Sequence, residues 1–361
     1  MTMHSRMRPL LAMTSAAVLA ATLTACGAGA GGDGRAISMT LATPTWNAGI
    51  ASIAVSQEQG YFEQEGLDMN VILTDSATTQ AQQIATGKVA TGAVSPEPVV
   101  IGRQPGKNLD LTYYMSYYRD NIYGLQVPED SGISSIADLR GKTVGAISLA
   151  SASVTQAKIG LEKAGVPADS VTFIAIGTGA QQAAAVKDGH VDALALLDTS
   201  FQVLRNQGIA LRPIEVPGTE NLTSGGLAAR ASELESNPEL FEKIGRAVAK
   251  GVVFTSANPE AAIRILYRAH PESKPTGMSD EEAIATGVKV LESRLANLGA
   301  DDEPYGELDP SAMEASVTYL REAGLIDTEV PADDLFDNSL IEKINDFDAA
   351  AVRTSAEEYQ G

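Results

Sequence analysis

The sequence predicts an α/β fold in two lobes, with a helical C-terminal segment. Three observations predict it. From Ala36 onward, strand-like and helix-like segments alternate, which marks α/β architecture. After Val216 the pattern turns to helices alone. The chain has 361 residues, more than one small core accommodates, so two lobes are expected.

The first segment reads as an address rather than a structural element. Arg6 and Arg8 precede an apolar stretch from Leu10 to Leu23, with no acid before Cys26. A basic start and an apolar region of roughly 7–15 residues form a secretory signal; a membrane-spanning helix needs about 20. The stretch ends Leu23-Thr24-Ala25-Cys26-Gly27, which resembles the bacterial lipobox. Residues 1–25 are therefore expected to be a signal peptide, and Cys26, the single cysteine, the acylated N-terminus. Two or three acyl chains such as palmitate would anchor it firmly where one would not. Residues 26–35, rich in Gly and Ala, read as a flexible tether. Gly27, Gly29 and Gly32 match a dinucleotide-loop spacing, but no strand precedes them, so the match carries no weight.

The elements then follow in order. Ile37–Ala42 reads as a strand, and a helix begins near Asn47 with Ile50, Ile53 and Ala54 on one face, closed by Gly60. Leu67–Leu73 is a strand, Ser76–Thr86 a helix and Thr91–Val94 a short strand. Leu111–Tyr118 and Ile122–Val127 are strands rich in Tyr and Val. A second unit opens near Ser131, with a helical turn at Ile136–Leu139 and strands at Lys142–Ile147, Val171–Ile176, Val191–Leu197 and Leu211–Val216. Its first helix, Ser153–Ala164, is closed by Gly165. Ser224-Gly225-Gly226 reads as a flexible point. Beyond it, Asn258-Pro259, the capping box Ser279/Glu282 and Asp309-Pro310 start helices, and Leu340, Ile344 and Phe347 line the last one.

Charge removes one class of function. The chain counts 26 Lys+Arg and 46 Asp+Glu; without the two arginines of the leader the balance is −22. Nucleic acid and anionic lipid surfaces both require a basic footprint, so neither is an expected partner.

Four stretches, taken in order, carry a resemblance: Gly60-Tyr61-Phe62-Glu63-Gln64-Glu65-Gly66-Leu67, Asp138-Leu139-Arg140-Gly141-Lys142-Thr143-Val144-Gly145, Gly189-His190-Val191-Asp192-Ala193 and Tyr319-Leu320-Arg321-Glu322-Ala323-Gly324-Leu325-Ile326. Together they resemble the solute-binding proteins that serve importers for sulfonates, nitrate, taurine and thiamine-precursor pyrimidines. The resemblance implies a two-lobed type II periplasmic-binding fold, a ligand in the cleft, and hinge closure. It also implies a permease with its ATPase as partner. Lobe 1 would comprise residues 36–127 and 226–361, and lobe 2 residues 128–225, with crossovers near Gln126-Val127 and Gly225-Gly226. A monomer on the extracytoplasmic face is expected. The motifs themselves read as structural: Gly60 and Gly66 as helix ends, Tyr61 and Phe62 as core.

Ligands of open α/β sheets sit beyond the carboxyl ends of strands, near helix N-termini. That rule selects Trp46, Asn47, Ser76, Thr78, Ser95, Glu97 and Arg119 in the first lobe, and Ser148, Ser151, Ser153, Thr178 and Asp198 in the second. The hydroxyls and Asp198 read equally as caps, Glu97 as an acid in a helix's first turn, and Arg119 as a partner of Asp120. Arg119 could grip an anion bidentately, and Trp46 could wall an apolar face. The expected ligand is a small organic anion such as a sulfonate or carboxylate. A thiamine-precursor pyrimidine or an amine is the alternative, and a sensing role at a membrane receptor an alternative to transport.

Catalysis is not expected. Nucleophile elbows, His-rich metal motifs and cysteine–histidine patterns are missing from the sequence. The related pyrimidine synthases rely on a cysteine-rich segment that this chain lacks. No cofactor and no metal is expected.

Overall fold

The computed structural model describes residues 35–300 and 304–361. The leader and Cys26 lie outside the described residues, as does the tether except for Arg35, which already opens the first strand.

Ten strands form two five-stranded sheets: β1 Arg35–Leu41, β2 Leu67–Leu73, β3 Thr91–Val94, β4 Leu111–Tyr118, β5 Tyr123–Pro128, β6 Thr143–Ala146, β7 Thr172–Ala175, β8 Ala193–Leu197, β9 Leu211–Ile214 and β10 Gly225–Arg230. The first sheet has the order β2-β1-β3-β10-β4 and the second β7-β6-β8-β5-β9. In the first, β1 runs parallel to β2 and β3, while β10 is antiparallel to β3 and β4. The second repeats the plan: β6 is parallel to β7 and β8, and β5 is antiparallel to β8 and β9. Each sheet thus receives one strand directly after the chain crosses from the other. Strand β5, which the sequence groups with lobe 1, pairs with β8 from Tyr123↔Leu197 onward, so the first crossing falls at residues 119–122.

The second crossing corrects a local reading. Gly225-Gly226 is not a flexible point but the start of β10, buried in the middle of the first sheet. A Cβ on Gly225 would lie 2.1 Å from the Val94 carbonyl oxygen, and one on Gly226 the same distance from that of Met115. Glycine is there because two backbones leave no room for a side chain.

Each sheet is covered on both faces by helices, as parallel pairing requires. One face of the first sheet packs with Tyr114, Met115 and Tyr117 against the helices Ala51–Glu58, Pro238–Ala257 and Pro259–Ala269. Its other face packs against Ala77–Ala85, Pro96–Gly102 and Pro310–Glu322. The second sheet has two smaller cores of its own. The first family-like stretch is structural, as read: Tyr61 and Phe62 are buried. Its Glu65 adds what the sequence did not show, accepting from Arg246 at 2.6 Å and Lys250 at 3.1 Å. The expected last helix is two. Leu340 and Ile344 are buried around a short turn, Ile341–Ile344, and a separate helix, Ala349–Glu357, starts where Asp348 accepts from the Ala351 N–H. No helix among the described residues is long and apolar enough to cross a membrane.

Candidate ligand-binding site

Between the two sheets lies a cavity of about 350 Å³, in the size range of sites for small organic molecules. It opens where strands of both sheets end: after β1 at Thr43–Asn47, after β2 at Asp75-Ser76, after β3 at Ser95, after β6 at Ile147 and Ser151, after β7 at Thr178, and after β8 at Thr199. A fold that aims strand ends and helix starts at one space produces such a site.

Six of the selected residues meet at this cavity: Trp46, Asn47, Ser76, Ser95, Ser151 and Thr178. Most of their polar groups are already engaged. The Asn47 side chain accepts from the Gly49 N–H and donates to Thr43 Oγ1. Ser76 accepts from the Thr79 N–H, and Ser151 from the Ser153 N–H, so both are helix caps. Ser95 differs: it is buried, and its Oγ faces the Tyr123 hydroxyl rather than capping a helix.

The other six stand elsewhere. Thr78 is exposed on its helix. Arg119 is exposed and pairs with Asp120 at 3.0 Å. Ser148 approaches the Asp75 carbonyl across the cleft mouth at 3.5 Å. Ser153 is buried and donates to the Ala195 carbonyl. Glu97 accepts from Gln156 Nε2 at 3.2 Å, linking the sheets beside the two crossings. There Ser224 Oγ accepts from the Ile122 N–H, and Thr223 Oγ1 donates to the Tyr118 carbonyl, stapling one crossing to the other. Asp198 is largely covered and held in an ion pair.

Its partner is the residue that sequence reasoning missed. Arg294, on the helix Asp280–Leu295, lines the cavity and pairs with Asp198 at 2.6 Å. Its guanidinium also lies 4.9 Å over the Tyr118 ring. A signal existed. Ala283, Gly287, Val290 and Leu291 form the buried stripe of this helix, and Arg294 continues it by three and four residues. A charge on an apolar stripe is what should have drawn the eye.

The walls are largely apolar and aromatic. Tyr118, Tyr123 and Tyr267 join Ile50, Leu197, Val203 and Val290. Burial pushes the Tyr118 and Tyr123 phenols up, so both are neutral hydroxyls at physiological pH. At the mouth Trp46 stacks on His270, with ring centroids 3.8 Å apart and planes 12° off parallel.

Burial lowers the His270 pKa below 6.5, so the ring in the stack is neutral at pH 7. A depressed imidazole pKa adds stability that is fully present above the unfolded value, about 6.5, and lost as pH falls through the folded one. Trp46 is the only tryptophan, so its emission reports the event. We expect its fluorescence to be quenched on acidification with a midpoint below 6.5, as an imidazolium forms against the indole. The titration should vanish in His270→Gln; persistence there would assign it to another group.

Comparison with known proteins now decides the family. A family described as NMT1/THI5 like matches residues 47–262. The chain belongs to the NMT1/THI5-like family. Among curated relatives, it is 25% identical over 299 residues to the riboflavin-binding protein RibY of Chloroflexus aurantiacus, covering 82% of this chain and 83% of that one. It is 24% identical over 323 residues to the formylaminopyrimidine-binding protein of Halalkalibacterium halodurans, covering 87% and 94%. A more partial match, 24% over 230 residues covering 59% and 64%, is the 4-amino-5-hydroxymethyl-2-methylpyrimidine phosphate synthase of Aspergillus parasiticus. Among solved structures, the alkanesulfonate-binding protein SsuA of Xanthomonas axonopodis pv. citri superposes with a TM-score of 0.64 at 15% identity, covering 84% of this chain and 98% of that one. The NMT1/THI5-like chain thus has the two-lobed periplasmic-binding fold, with the type II strand order in both sheets.

Proposed function

We propose that this NMT1/THI5-like protein is the solute-capturing component of an ATP-driven importer. It takes a small organic solute with an aromatic or apolar body into the cleft and presents it to a membrane permease. The observation that carries the reading is the cavity between the two sheets, walled by Trp46 and three tyrosines and reached by strand ends from both. Relatives named as binding proteins support capture rather than catalysis. The test is a thermal-shift screen with riboflavin, formylaminopyrimidine, alkanesulfonates and nitrate. A true ligand at 100 times its Kd stabilises the folded state by about 2.7 kcal/mol. A screen in which no organic member shifts the melt would count against the reading.

We further propose that a lipid on Cys26 holds the protein to the membrane. The support is the Leu23-Thr24-Ala25-Cys26 sequence behind an apolar leader. Cys26→Ala is expected to release the protein from the membrane fraction or to stall its processing. Full membrane retention of a mature variant would reject the anchor.

A further inference from the structure

The cation of the cavity is already matched. Arg294 comes from the helix Asp280–Leu295, which packs both on Pro259–Ala269, a helix of the first lobe, and on Asp198–Asn206, the helix that follows β8 in the second sheet. Their contact at 2.6 Å therefore joins the lobes where these two helices pack beside the cavity, with side-chain exposures of only 4% and 13%. The Asp198 carboxyl also accepts from the Thr199 N–H at 2.6 Å and from Asn297 Nδ2 at 2.9 Å. All three neighbours are donors, which fits a carboxylate and leaves a protonated acid with nothing to donate to. The pair has no net charge. The other charged residues on the lining, Asp75 and Glu272, are exposed acids.

Polar capacity is nevertheless left over. Arg294 Nε and Nη1 and Gln80 Oε1 are buried atoms of lining residues, and none has a hydrogen-bond partner among the described residues. After a small shift that uncovers them, an uncharged acceptor can satisfy the spare guanidinium N–H groups while Arg294 keeps its bond to Asp198. An anion can be neutralised only by drawing Arg294 away, which strands a buried carboxylate. Gln80 Oε1 can only accept, so it too repels an anion and welcomes an N–H.

We propose that Asp198 is the charge-selectivity residue of this site. By neutralising Arg294 from behind the cavity wall it excludes anions and admits uncharged solutes that carry a carbonyl-type acceptor. This inference rests on the solute-binding reading above and reverses the anion expected from sequence.

Three matched probes isolate charge from shape: 2-naphthamide, 2-naphthoate and naphthalene-2-sulfonate, measured by calorimetry. The wild-type protein is expected to bind the amide at least about tenfold more tightly than either anion, since each tenfold step is only about 1.4 kcal/mol. Asp198→Asn frees the Arg294 charge and is expected to reverse the order; Asp198→Glu is expected to keep it. An anion preferred by the wild type, or the same ratio in folded Asp198→Asn, would overturn the proposal while leaving solute binding intact. If Asp198→Asn fails to fold by circular dichroism, the wild-type ratio still decides. A wild type that binds none of the three but is stabilised in the thermal-shift screen would overturn the charge-selectivity proposal and leave solute capture standing.

Discussion

Replacing Glu65 with Ala is expected to lower the unfolding free energy by about 3–5 kcal/mol, the range for breaking a buried ion pair from one side. Glu65 is 9% exposed, and its two partners, Arg246 and Lys250, are 16% and 13% exposed. Removing the acid leaves two cations facing each other in a largely dry space. Arg246 does not relax freely, because its Nε and Nη2 also donate to the Lys343 carbonyl. The turn that follows the first helix is thereby tied to the long helix Pro238–Ala257 and to the C-terminal segment. Urea denaturation measures the loss. A drop below 1 kcal/mol would mean that water reaches the cluster. Replacing all three residues with apolar ones of similar volume is expected to recover most of the stability, since desolvation then no longer opposes burial.

Gly225→Ala is expected to be comparably damaging for a different reason. The residue has φ +87°, and a Cβ there would meet the Val94 carbonyl oxygen at 2.1 Å. A left-handed conformation costs an L-residue about 1–2 kcal/mol, and overpacking a rigid site typically adds about 1–3. The obstacle is backbone, so no rotamer relieves it. Gly66→Ala provides the comparison: its φ is +74°, but nothing lies within 4 Å of the added carbon. It is expected to show only the conformational cost. Equal losses in the two variants, read from chemical denaturation, would show that crowding at β10 is relieved by movement of the sheet.

The two cases also show where the sequence was legible. Leu67–Leu73, Thr91–Val94 and Leu111–Tyr118 were read with their final bounds, because Gly66, Ser95, Asp110 and Arg119 mark four of their six ends. Strand β10 was invisible for the opposite reason. Gly-Gly reads locally as freedom, whereas here it answers crowding by strands distant in sequence. The site divided in the same way. Serines at helix starts were found by rule, and Ser76 and Ser151 do line the cavity while serving as caps. Arg119 was singled out because it follows a strand directly, and a neighbouring aspartate holds it outside. Arg294 reaches the cleft from a helix far along the chain. Position along a strand could not reveal it; only the break in an apolar helical stripe could.

The placement of β10 also sets an order of assembly. Strands β3 and β4 are neighbours in sequence but not in the sheet, since β10 fills the space between them. The edge at β4 is covered only when the Tyr113 carbonyl accepts from the Asp337 N–H and the Tyr113 N–H donates to Leu335. A chain emerging from the ribosome therefore cannot complete its N-terminal sheet until residue 230 has appeared, nor seal that sheet's rim until residue 337 has. The second sheet, whose strands are contiguous in sequence, is free to form first. Pairings this distant close slowly, so the first sheet is the late step of folding and the second the early one.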